Sequence, residues 1–419
     1  MNQISNKFRH LLWPLVSLAL LLLFNAIFTD NFFKIEIKSA DASKKAVQTA
    51  VPESSARIAP ENYEGASDSA EVVAEINEAA EEAVEQTQAA AQQPAPAPQQ
   101  ESKGVSIFGY YLYGTPIDIL NQGAKVMVLA IGMTLVIATG GIDISVGAVM
   151  AIAGAIAALL ISMLDAGNFP GASLGPNVYW IIPVAAALIL ATVAGLWNGM
   201  LVAGFGIQPM VATLVLMVAG RGVAQLITDG QIITFDNPAL VFLCNGHALF
   251  LPFSIWIVTV MYVIAGLLTR KTAFGLFIES VGNNERASRY AGIEARRIKW
   301  LAYVICGFCA GVAGLLAASN IKCADSNNAG LYLELDAILA TVIGGTSMAG
   351  GRFFLSGSLV GAILIQTLTT TMYMKNVSPA IVQVPKAMVV IIVCLLQSPV
   401  FRAKVLSIFA SKAAKGGVQ

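Results

Sequence analysis

The sequence predicts an all-α, polytopic integral membrane protein of about ten membrane-crossing helices, with two pseudo-repeated halves and glycine-broken helices. Three observations carry this. The 419 residues are 56% hydrophobic and 12% charged, with a mean hydropathy of +0.71, whereas a soluble domain carries about twice that charge. Apolar runs long enough for about 30 Å of hydrocarbon, about 20 residues each, recur along most of the chain. Between Met127 and Ile161 the only charged side chain is Asp143, just after the pair Gly140 and Gly141. As one helix that run would extend about 50 Å, too long for a single crossing. It must break. Glycine takes the left-handed conformation that ends a helix, and Asp143 or Ser145 can cap the next one.

The elements follow in order. Leu11–Phe28 is an apolar run behind Lys7 and Arg9. It is long for the core of a signal peptide, and the small-residue Ala40-Asp41-Ala42 lies too far beyond it. An uncleaved first span is expected, so residues 1–30 form an N-terminus and first helix. Residues 31–104 read as an acidic insert. Asp41–Lys103 holds 12 of the 25 acidic residues and four basic ones. Within it, Ala70–Ala91 is Ala/Glu-rich with helix propensity, and Gln92–Gln100 is a Pro/Ala/Gln linker that favours extended chain. A largely disordered tether and a docking element for a basic partner are both open.

The membrane core spans 105–400. Its runs are the two halves of 127–161, then Trp180–Val202, Met210–Ile227, Phe253–Leu268, Trp300–Ala318, Leu331–Ile343, Phe353–Met374 and Ala380–Leu396. Leu331–Ile343 is the weakest, since it holds Glu334 and Asp336 and suits a re-entrant segment. With the N-terminus inside, fourteen of the 25 basic residues fall on one side, including the connection 269–299 and a basic tail at 401–419. The loops Asp165–Asn177 and Thr228–Phe250 carry none. This satisfies the positive-inside rule with both termini cytoplasmic and the insert outside. Thr139–Gly147 echoes Ile343–Gly350, a glycine break after an apolar run in each half, as in transporters built from repeats.

Several chemistries find no signature. There is no Walker A pattern, no paired-carboxylate or hydrolase triad, and the two histidines are too few for a metal cluster. Cys306 and Cys309 form a C-x-x-C inside an apolar helix and read as packing. No catalytic residue, metal, cofactor or nucleic-acid partner is expected for this chain.

Two constellations remain. Thr139, Gly140, Gly141 and Asp143 form either a discontinuous element along a transport path or a tight turn capped by Asp143. Asn198, Gln208 and Arg221 join them as candidate path residues, although Arg221 also suits snorkelling or capping at a helix end. The second constellation is the connection 269–299. Asn283 or Asn284 can cap a short helix over 285–290 that Gly292 stops, behind the apolar Phe274, Leu276, Phe277 and Ile278. It suits either docking in a partner's groove or seating on anionic membrane lipid.

At these residues the chain resembles a known family. TGGIDISVGAVMA (139–151), WNGMLVA (197–203), IQPMVATL (207–214), AGRGVAQLIT (219–228) and ESVGNNERASRYAGI (279–293) are similar to the permease subunits of ribose/galactose-type ABC sugar importers. Pro116–Ala155 and Ala324–Gly345 look like the galactofuranose-importing members almost throughout. The likeness covers about Gly109–Ser398. It implies a bacterial inner-membrane permease for a monosaccharide, paired with a second, identical or homologous, permease. It also implies a periplasmic sugar-binding protein and a separate ABC ATPase that binds ATP and Mg. In that family the stretch with Glu279, Gly282, Asn284, Arg286, Ala287 and Gly292 couples to the ATPase. The insert departs from the family's short outer connection, so no role for it is inherited. An ion-coupled secondary transporter is the alternative; it would use buried acids such as Asp143 and Asp336 but leaves the docking connection without a purpose.

Overall fold

The computed structural model describes residues 2–29, 32–39, 110–167, 180–378, 381–388 and 391. The chain divides into one unit of residues 1–38 with 104–419 and a second of 39–103. Residues 40–104 of the expected acidic insert, the tail 401–419, and residues 380, 389–390 and 392–396 of the run 380–396 lie outside the described residues.

Among the described residues, the elements are helical apart from three two-stranded pairings. Helix α1 is Asn2–Phe28, and the short strands β1 (Glu36–Ser39) and β2 (Tyr110–Tyr113) pair with each other. Helices α2 (Thr115–Ala138) and α3 (Val146–Asp165) flank the glycine break. Next come α4 (Ile181–Gly199), a π-helical turn (Met200–Gly204) and α5 (Pro209–Ile227). β3 (Ile233–Thr234), α6 (Pro238–Asn245), β4 (His247–Ala248) and β5 (Leu251–Pro252) precede α7 (Phe253–Lys271). α8 (Ala273–Asn283), α9 (Glu285–Tyr290), α10 (Ala295–Ile321) and β6 (Cys323–Ala324) lead to α11 (Leu333–Ile343) and α12 (Leu355–Met374). β3 pairs antiparallel with β6, Ile233 opposite Ala324, and β4 with β5.

Among the described residues, seven helices are long and apolar enough to cross a membrane: α2, α3, α4 with its π-helical extension, α5, α7, α10 and α12. α1 carries a shorter apolar portion, Pro14–Ile27. The chain is therefore an all-α, multi-pass membrane protein; the count of ten is not confirmed, since part of the run 380–396 lies outside the described residues. Its weakest member, Leu331–Ile343, yields an eleven-residue helix, about 16 Å long and only half a hydrocarbon core. The short length has a local cause. Gly330 (φ 73°) and Tyr332 (φ 64°) both take left-handed conformations, which keep the preceding two turns from joining the helix.

Helix α2 sits at the centre. Its buried residues run continuously from Ala124 to Ala138 apart from Lys125. α10 packs against α2, α3 and α4; α12 packs against α2, α11 and α1; α5 packs on α3. α10 meets α4 where Gly307 faces Gly195, the small-residue spacing that lets two backbones approach. α4, α5 and α7 bury only a stripe and leave the rest of their apolar side chains partly or fully exposed, as expected of helices facing lipid or another membrane subunit.

Candidate functional site

The two glycine breaks and the connection after α7 converge at one end of the bundle. α2 ends at Ala138, and Gly140 (φ 82°) turns the chain in a left-handed conformation. The equivalent break after α11 returns to it: the Gly351 amide donates to the Ala138 carbonyl at 3.0 Å. α8 closes the junction. A side chain at Gly282 would overlap the Ala138 carbonyl oxygen and lie 2.5 Å from the Gly351 nitrogen. Glycine is therefore required there by close approach of three backbones. The pseudo-repeat thus corresponds to two breaks that meet in space.

Within the first break, Asp143 organises a buried polar cluster. Its Oδ1 accepts from the Ser145 amide (3.0 Å), the Ser145 hydroxyl (2.6 Å) and Asn198 Nδ2 (3.3 Å). Asn198 Nδ2 also donates to Ser145 Oγ at 2.8 Å. Asp143, Ser145 and Asn198 are all at most 1% exposed. The Thr213 hydroxyl near the start of α5 lies 3.3 Å from the Ile142 carbonyl, but its proton has a shorter acceptor in the Pro209 carbonyl of its own helix (2.9 Å). Ser145 occupies the N-cap of α3 but makes no capping bond; its hydroxyl is committed to Asp143. Expected capping by Asp143 or Ser145 is thus replaced by a side-chain link between the break and α4. Tyr303 of α10 lies over Gly141, and its hydroxyl is fully buried.

Other sequence candidates lie elsewhere. Thr139 belongs to the junction, its hydroxyl donating to the Val136 carbonyl at 2.8 Å. Gln208 is exposed at the N-cap of α5 and makes no capping bond. Arg221 is near the opposite end of α5, where one guanidinium nitrogen donates to the carbonyls of Ser326 (3.1 Å), Asn327 (3.4 Å) and Ala329 (2.6 Å). It fastens the segment leading into α11, which favours the capping reading.

The connection 269–299 contains two helices where one was expected. α8 carries Glu279 and Gly282 and buries Phe274 and Ile278, leaving Leu276 exposed; the apolar approach is mostly a packing surface. α9 follows as predicted. The Asn284 side chain accepts from the Ala287 amide at 3.0 Å, an N-cap, and Gly292 (φ 82°) ends the turn. Arg286 is exposed, as is Tyr290 at 94%. α9 is clamped to α10, because Glu285 takes Lys299 (2.6 Å) and Arg289 on its two oxygens. The hydrogen bond from Lys299 holds the Glu285 carboxyl below the usual glutamate range, against a smaller opposing effect of burial. Ser280 and Ser288 join α8 to α9 at 2.9 Å.

A last pair was unassigned by sequence reasoning: Lys386 Nζ meets Asp336 Oδ2 of α11 at 2.7 Å, both nearly buried. Its fifty-residue separation leaves no local signal. Among the described residues no group of three metal-ligating side chains occurs.

Residues 115–395 match the family described as branched-chain amino acid transport system / permease component. The chain belongs to this permease family. Among curated relatives, the permease is 54% identical to the galactofuranose transporter permease protein YtfT of Escherichia coli K12, covering 69% of this chain and 81% of the relative. It is 34% identical to the ribose import permease protein RbsC of the same organism, over 69% and 87%. It is 31% identical to the L-arabinose ABC transporter permease protein AraH of Azospirillum brasilense, over 59% and 69%. No solved structure matches.

Proposed function

We propose that the chain is the permease subunit of an ATP-driven monosaccharide importer in the bacterial inner membrane, with both termini and the 269–299 connection cytoplasmic. The observation that carries it is the family membership, with sugar permeases as relatives on either side of half identity. Orientation rests on the one-sided distribution of basic residues. Galactofuranose is the preferred sugar by the 54% relative. The spans do no covalent chemistry, and ATP with Mg belongs to a separate ATPase. A second permease chain and a periplasmic binding protein complete the assembly.

The geometry favours a coupling route. α9 presents Arg286 and Tyr290 outward, and Ala287 and Gly292 shape its turn. A push on α9 passes through Ser280–Ser288 and Gly282 into the joined breaks at Ala138 and Gly351, and from there to Asp143 and Asn198. Thr139, Gly140, Gly141, Asp143 and Asn198 then form the moving part of the path. Gln208 and Arg221 stand apart from it, so their place in the path rests only on their being polar groups in or near the spans.

The test is co-purification of the tagged chain from native membranes in detergent, beside an Arg286→Glu/Gly292→Pro variant. An ATPase recovered with the native chain and lost from the variant supports the reading. No ATPase after crosslinking overturns it.

A further inference from the structure

At the start of α10 the chain places three cations, Arg296, Arg297 and Lys299, within its first five residues and no acid in its first turn. A helix N-terminus carries partial positive charge, so cations there oppose the macrodipole. Two of the three have partners: Lys299 pairs with Glu285 (2.6 Å) and Arg297 with Glu294 (2.9 Å). Arg296 has no carboxylate partner among the described residues. Both arginines line a cavity of about 210 Å³ whose other walls are Trp300 and, from the π-helical turn, Met200, Ala203 and Gly204.

The π-helical turn makes this notch. The Phe205 amide reaches back five residues to the Met200 carbonyl (3.1 Å), which widens the end of α4 beside Trp300. Above the notch, α4 exposes one continuous apolar stripe: Ile189, Val193, Leu196, Trp197 and Met200. The spacing of four, three, one and three residues keeps these on one face, over about 16 Å of helix.

We infer that this notch is a site for an anionic phospholipid, its phosphate on Arg296 and Arg297 beneath Trp300 and its acyl chain along the α4 stripe. The charge selects an anion. The apolar stripe leading into the notch selects one that carries hydrocarbon. Basic pockets between spans at the membrane surface, with an interfacial tryptophan, hold such headgroups. A lipid is favoured over an acidic face of the ATPase because this cavity is walled by Trp300 and the π-helical turn and runs into the exposed apolar stripe of α4; Arg296 also borders a second cavity with Arg289, Gly292 and Glu294 on the α9 side, the face an ATPase would use. The inference needs only that the helices cross a membrane, so it stands or falls apart from the choice of sugar.

The test is native mass spectrometry of the detergent-purified full chain titrated with dioleoyl phosphatidylglycerol, dioleoyl phosphatidylcholine and water-soluble glycerol phosphate. Each basic residue near a headgroup is worth about fivefold in affinity. The expected result is phosphatidylglycerol bound at least about fivefold more tightly than phosphatidylcholine, and no retained glycerol phosphate. Arg296→Gln removes most of that preference, and Met200→Glu, a like charge in the notch, abolishes it. Equal binding of the two lipids overturns the inference, as does unchanged preference in Arg296→Gln. Arg296→Gln that keeps the preference but loses a co-purifying ATPase would make the notch a protein interface instead. Retention of glycerol phosphate would make it a simple anion site.

Discussion

Replacing Gly282 by alanine tests whether the two glycine breaks are locked together by α8. The added methyl would overlap the Ala138 carbonyl oxygen and come within 2.5 Å of the Gly351 nitrogen. Both are backbone atoms, and they bond to each other at 3.0 Å, so neither can rotate away as a side chain would. Overpacking of a tight core costs about 1–3 kcal/mol. Loss of one buried backbone hydrogen bond adds about 1 kcal/mol. With an unfolding entropy of about 2.1 cal/mol/K per residue, a chain of 419 residues shifts by about 1 °C per kcal/mol, so the expected drop in apparent melting midpoint is about 2–5 °C. The assay is a thermal unfolding scan of the detergent-solubilised chain. Gly222→Ala is the control, since no atom lies within 4 Å of a side chain there, and its midpoint should stay at or slightly above the native one. A Gly282→Ala midpoint equal to the native value would refute the proposed junction. So would equal losses in both variants.

Three further outcomes follow from the same geometry. Asp143→Ala leaves the Ser145 amide and hydroxyl without their buried acceptor, while Asn198 Nδ2 keeps Ser145 Oγ, at about 1–3 kcal/mol for each unsatisfied group; scanning calorimetry should show a loss larger than for Gln208→Ala, which is exposed. Lys386→Met strands a nearly buried Asp336 and should cost about 3–5 kcal/mol, whereas the exchange Asp336→Lys/Lys386→Asp should recover part of it by the same measurement; no recovery would mean the pair is incidental. Glu285 has a depressed folded-state pKa, so its contribution is present above the unfolded value and disappears as pH falls through the folded one. Hydrogen exchange in α9 should therefore accelerate, beyond the intrinsic pH effect, as pH falls below about 4.3, and Lys299→Met should remove that added dependence.

Much of this architecture was legible because lipid imposes length and hydropathy on a span. The runs around α4, α5, α7, α10 and α12 needed no tertiary information. The break at Gly140 and the helix over 285–290 were legible for a different reason: left-handed glycine and an asparagine cap act within four residues. What the sequence withheld is non-local. Asp143 and Asn198 are 55 residues apart, and nothing in either stretch says that they touch. Gly282 looks like any loop glycine until Ala138 and Gly351 are placed beside it. The short length of α11 was legible in the run 331–343, whereas its left-handed start at Gly330 and Tyr332 was not. Likewise the π-helical turn at 200–204 sits inside an unbroken apolar run. At 274–278 the apolar side chains divide between packing, Phe274 and Ile278, and exposure, Leu276, a division hidden in the sequence because apolar side chains serve packing and recognition alike.

The account's central claim is best tested by uptake of labelled monosaccharides, galactofuranose first, in cells with and without the chain, under either collapsed ion gradients or depleted ATP. Uptake that requires the chain, survives a protonophore and ionophore, and stops on ATP depletion is the predicted result. Uptake that stops with the gradients while ATP is maintained would contradict the claim and place the chain among ion-coupled transporters.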